Sequence, residues 1–164
     1  MTQVLVGSER ELLRTFLDQQ RDVLLWKLQG LTDRQLRQPM TPSGLYLLGI
    51  VKHHAGVEQY WLCWLFGRPA EPFSLAAADD LQLDPDDTTD SVLAYFSRAR
   101  TASDAAIAEI DLDATATTWL GGTVSFRWAV LHTIEEAARH AGHADIIREG
   151  IDNTTGYLPN DSPY

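Results

Sequence analysis

The chain is nearly devoid of cysteine: Cys63 stands alone. A lone cysteine cannot close an internal disulfide, so the expected setting is a reducing cytoplasm. Basic residues are also scarce. Lys and Arg number 13 against 23 Asp and Glu, a formal charge of −10. Nucleic-acid affinity comes from neutralising phosphates with Lys and Arg, so nucleic acid is not expected as the main partner. The same balance disfavours an anionic membrane surface. No apolar run approaches the roughly 20 residues a membrane-spanning helix needs. The opening MTQVLVGSERELL lacks the basic region and long apolar stretch of a secretory signal. Internal repeats and low-complexity tracts are absent. So are a G-x-S-x-G elbow, the phosphate-binding GxxxxGK[ST] and GxGxxG loops, and HExxH.

What is present is a helical chain. At 164 residues with 45% apolar content it has the size and core of one domain, spanning 1–164. A first helix is expected from about Ser8 to Gln29, stopped by Gly30. Thr32 reads as the cap of a short DRQL turn. Ser43 is placed to cap a second long helix over 44–66, ended by Gly67 and Pro69. An acidic loop over 68–87 comes next. A third long helix runs from Thr89 or Asp90 to about Ile110, and a fourth, capped by Ser125, runs from Phe126 to Gly150. Residues 119–125 suggest a short extended piece, and the tail reads as irregular. The pattern predicts an all-α four-helix bundle, its first two long helices antiparallel neighbours and the 68–87 connection a long crossover.

All five histidines fall on the predicted helices: His53 and His54 on the second long helix, His132, His140 and His143 on the fourth. At about 100° per residue, His132, Glu136, His140 and His143 share one narrow face, within about 40° of Glu136. That face borders the apolar one carrying Phe126, Val130, Ala137, Ala141 and Ala144. On the second helix, Tyr46, Gly49, Ile50, Val57, Tyr60 and Trp64 fall within about 60° of His53. His54 points about 100° away, where Glu58 can pair with it at i+4. One histidine is therefore aimed inward from one helix, and a carboxylate with one to three histidines from another. Bundle metal sites are built that way, and imidazole with carboxylate suits a divalent first-row ion. The spacing alone leaves other readings open. Buried histidines often serve as hydrogen-bonded core residues, and i,i+4 Glu–His pairs often decorate helix surfaces. Cys63 reads as a small core hydrophobe. The helix-two aromatics read as core packing that also walls an apolar pocket.

The segments LLGIVKHHAGVEQYWL and HTIEEAARHAGHADIIRE resemble the DinB-like (DinB/YfiT-like) superfamily over roughly residues 8–158. The closer resemblance is to its actinobacterial small-domain branch, related to the metal-binding domain of mycothiol-dependent maleylpyruvate isomerase. The resemblance implies a four-helix bundle with a divalent metal at one end of its core. It implies His53, in KHHAGVE, as the first ligand, and Glu136 with His140 as the E-x-x-x-H pair. His143 falls where many relatives carry Gln, beside the metal; a ligand, supporting or substrate-contact role stays open for it, as does a fourth-ligand role for His132. The chain spans only the isomerase's metal-binding domain, so maleylpyruvate isomerisation itself is not expected.

The leading expectation is a thiol-S-transferase-like enzyme. His53, Glu136 and His140 would hold Zn²⁺, or alternatively Ni²⁺ or Mn²⁺. A small-molecule thiol such as mycothiol would attack an electrophilic substrate as its metal-bound thiolate, with His143 as the catalytic proton shuttle. A metal-dependent hydrolase and a non-enzymatic small-ligand or metal-binding protein are the alternatives. A homodimer is compatible with the pattern.

Overall fold

The computed structural model describes residues 6–74 and 81–158. The chain is mostly helical, with one small two-stranded sheet. Helix α1 spans Glu9–Trp26. Ser8 and Glu11 form a reciprocal capping box at its start: the Ser8 hydroxyl accepts from the Glu11 amide, and the Glu11 carboxylate accepts from the Ser8 amide at 2.8 Å. The one-turn α2, Asp33–Leu36, is capped by Thr32 in the same way. Helix α4 spans Thr89–Glu109 behind the cap residue Thr88, and α5 spans Phe126–Asp152 behind Ser125, whose hydroxyl accepts from the Trp128 amide.

The second long helix differs from expectation at both ends. Helix α3 spans Leu47–Glu58, starting three residues later than the sequence suggests. Gly44 is left-handed at φ 84°, and the Ser43 hydroxyl pairs with Thr41 instead of capping a helix. Beyond Glu58 the chain forms a π-turn over Gln59–Cys63 and a 3-10 turn over Trp64–Phe66, closed by left-handed Gly67. A π-turn carries an extra residue, which sets back the angular phase of the residues beyond it by about 100°. Trp64 therefore does not continue the His53 stripe, and is 53% exposed.

The extended piece expected over 119–125 is only partly a strand. Strand β2 (Thr123–Ser125) pairs antiparallel with β1 (Thr115–Thr117), while the intervening residues make the turn, with Gly121 left-handed. Of the 68–87 loop, residues 75–80 lie outside the described residues, as do tail residues 159–164.

Side-chain bonds give the helix directions. Arg127 of α5 binds Glu9 of α1, and Arg148 of α5 donates to the carbonyls of Lys27 and Gln29, so α1 and α5 run parallel. Arg14 with Asp104, and Arg100 with Asp18 and Asp22, make α4 antiparallel to α1. His53 against His140, and Trp61 against His132, make α3 antiparallel to α5. Helices α3 and α4 are therefore parallel, so the 67–88 connection must return the chain along a helix's length. The expectation that the first two long helices are neighbours is corrected. Helix α1 packs chiefly on α5, and α3 on α4 and α5. The connection from α1 to α3, with α2 inside it, is long enough to span that diagonal. Leu17, Leu24, Leu47, Leu48, Ile50, Phe96, Phe126 and Ile147 lie in the buried core. No described helix is long and apolar enough to cross a membrane.

Candidate metal centre

The α3–α5 interface brings the candidate donors together. Alternation of small and apolar residues buries almost all of α3, and His53 is carried into the core with them, 7% exposed. On α5, Ala137, Ala141 and Ala144 are buried and permit close approach. Glu136 and His140 sit at the edge of that alanine face. The His53 and His140 rings meet at 4.7 Å between centroids, inclined at 63°. His140 Nε2 lies 3.5 Å from Glu136 Oε2. One donor atom each from His53, Glu136 and His140 falls within 4.8 Å of the other two.

This donor set fits a divalent ion. With metal–ligand distances of about 2.1 Å, a tetrahedral ion spaces its donors by about 3.4 Å, close to the His140–Glu136 separation. The imidazole is also in the right protonation state. Burial first, then the neighbouring His53 and His54, pushes the His140 pKa down to about 3, so its lone pair is free at neutral pH. His140 Nδ1 is buried and makes no hydrogen bond among the described residues. Such an atom costs free energy unless it is itself bonded, by a partner or by an ion.

The remaining histidines separate by role. His143 is exposed, its ring centroid 5.5 Å from that of His140, beside the triad and outside it. His132 also stands outside the three-donor group. Its ring stacks on Trp128 at 4.8 Å and 13°, and meets Trp61 edge-on at 4.8 Å. His54 faces away from the triad, fully buried, with Nε2 3.1 Å from Glu58 Oε1.

Sequence reasoning paired Glu58 with His54 and missed its larger partner. Arg21 of α1 is completely buried; Nε and Nη2 donate to the two Glu58 oxygens at 2.7 and 2.5 Å. The available signal was Arg21's place on the apolar stripe of Leu13, Leu17, Leu24 and Leu28. Cys63 is a fully buried thiol, pushed up to about 11 by burial and then by the Glu58 charge, so it stays protonated. A groove of roughly 410 Å³ between α1 and α4 is lined by Leu25, Leu28, Leu93 and Phe96 and includes none of the triad.

A sequence model of the mycothiol-S-transferase family matches residues 12–153. The chain belongs to the mycothiol-S-transferase family. The match runs from α1 to the end of α5 and so contains every residue of the triad. No curated protein matches the chain.

Proposed function

We propose that this protein is a divalent-metal-dependent transferase of a low-molecular-weight thiol, mycothiol in a host that makes it, built as a single four-helix-bundle domain over residues 1–164. The observation that carries the reading is the convergence of His53, Glu136 and His140 from two helices into one three-donor group within a chain of this family. His53, Glu136 and His140 would hold the ion, with zinc the first choice for an imidazole and carboxylate set, and nickel or manganese as alternatives. A divalent ion bound there supplies a Lewis acid that lowers the pKa of a coordinated thiol. The protein residues then have distinct tasks. Buried His53 and His140 present imidazole donors fixed by helix packing, and Glu136 offsets part of the positive charge. His143, exposed beside His140, takes up the proton released by the thiol. The sulfur forms a bond to the electrophilic carbon, and the leaving group departs with its electron pair. A single buried cysteine agrees with a cytoplasmic setting for such thiol chemistry.

The test is metal content of untagged protein beside His53→Ala and His140→Ala variants, with circular dichroism to verify the helices. Expected is near one equivalent in the parent and loss in both variants. Failure to load zinc, nickel or manganese would remove the basis of the reading. Turnover of esters without thiol would assign the nucleophile to water instead.

A further inference from the structure

Trp61 lies eight residues beyond His53, on the π-turn that extends α3, and His132 lies eight residues before His140 on α5. Because these elements run antiparallel, the two pairs form successive layers. The His53–His140 rings meet at 4.7 Å, and the Trp61–His132 rings at 4.8 Å. Eight residues of helix separate the layers by about 12 Å, with Glu136 on the same face midway. The second layer is wholly aromatic and continues outward. Trp128 stacks on His132 and meets Trp61 at 5.3 Å. Tyr60 meets Trp61 at 4.8 Å and stacks on Trp64 at 5.5 Å.

Packing does not account for this cluster, because it is not fully covered. Trp128 is 44% exposed and Trp64 53% exposed. Half-exposed indoles grouped beside a reactive centre mark a place where something lands. His132 covers one face of Trp128, which is inclined at 62° to Trp61 and keeps 44% of its surface exposed, where a planar ring can reach it. The mostly exposed Glu135 carboxylate lies 3.9 Å from His132 Nδ1, which disfavours an anion.

We propose that Trp61, Trp128 and His132 form a second subsite that stacks a neutral, planar aromatic ring and presents an electrophilic carbon on that ring, or one bond off it, toward the Glu136 turn. The proposal names the electrophile class for the transferase reading above and rests on it for function. Its binding step is measurable without any reaction.

The probe is 4-nitrobenzyl alcohol, an unreactive aromatic ligand, titrated calorimetrically into the metal-loaded full chain without thiol. Expected is saturable binding that survives Trp128→Phe within about twofold and weakens about three- to tenfold in Trp128→Leu, the range of one aromatic stacking contact. Thermal melts of both variants check the fold, and Phe against Leu isolates the π-face from bulk. In turnover with mycothiol, the preference for 4-nitrobenzyl chloride over chloroacetamide falls by a similar factor in Trp128→Leu. Metal-free His140→Ala retains alcohol binding. If neither chloride is turned over while the alcohol binds with this variant pattern, the subsite stands and the transferase reading fails. No saturable binding to the parent, or equal affinity in the Phe and Leu variants, overturns the subsite.

Discussion

Replacing Arg21 by Met tests how the core holds α3 in place. Arg21 is fully buried and makes four charge-assisted hydrogen bonds: two to Glu58, one to Asp18 at 2.9 Å and one to Asp104 at 2.8 Å. Burial of Glu58 would raise its pKa. The Arg21 charge and the contact with His54 outweigh that and hold the carboxyl well below its ordinary value. Burial likewise opposes the charge of Arg21, and Glu58 and Asp104 overcome it. Met keeps the length and apolar volume but leaves the 1% exposed Glu58 with His54 alone. Removing one partner of a buried pair costs about 3–5 kcal/mol. At about 2–4 °C per kcal/mol for a chain of this size, the melting temperature falls by roughly 6–20 °C. The pH dependence has a definite sign. In the parent, the depressed Glu58 pKa contributes stability that is complete above the unfolded carboxyl value of about 4.3 and is lost as pH falls through the folded value. In the variant, the buried carboxyl has lost its cation, so burial raises its pKa, and protonation relieves it. The gap between parent and variant is therefore widest near neutral pH and narrows with acidification. Urea unfolding monitored by circular dichroism at about pH 7 and about pH 5 measures both gaps. A loss under about 1 kcal/mol at neutral pH, or a gap that widens on acidification, would refute the reasoning.

Three other outcomes are expected. His140 is held neutral with its pKa near 3, so the unfolded chain binds more protons below about pH 6.5; metal-free protein should lose about 1–2 kcal/mol more than a His140→Gln variant between about pH 7 and about pH 5, and equal losses in urea titrations would contradict it. The buried Tyr60 hydroxyl has no hydrogen-bond partner among the described residues, so Tyr60→Phe should be neutral or stabilising by about 1 kcal/mol in thermal melts. A clear loss would reveal a partner for the hydroxyl. A Cβ on Gly49 would collide with the Leu81 carbonyl oxygen and press on the Tyr46 ring at 3.0 Å. Gly49→Ala should therefore cost about 1–3 kcal/mol and speed proteolysis around Leu81, and an unchanged cleavage pattern would mean that the segment does not pack on α3 there.

Much of the candidate centre was legible because helical spacing fixes angle. Glu136 and His140 at i,i+4, on the border of an alanine-rich face, can only point together toward whatever that face packs on. His53, flanked by Gly49, Ile50 and Val57, had to be buried. The caps Ser8, Thr32 and Ser125 were legible for an equally local reason, since a hydroxyl and an unsatisfied amide meet within one turn. The Ser43 cap failed locally too, because Thr41 competed for the same hydroxyl and Gly44 took a left-handed turn.

Other features depended on contacts between distant segments. A helical wheel gives the direction of His132 and His143 but not what stands opposite. The α3 extension places Trp61 against His132, and His143 is left in solvent. The π-turn removed Trp64 from the His53 stripe, and no residue pattern announced that extra residue. Arg21 became a core cation only because α1 lies diagonally to α3 and Glu58 meets it there. Local residue patterns were enough for the helices, most of their ends and the inward aim of the three donors, because those depend on bonds and angles within a few residues. The tertiary structure alone decided which helix faces which, which histidines share a site and which charges pair in the core, because each requires the packing of segments distant along the chain.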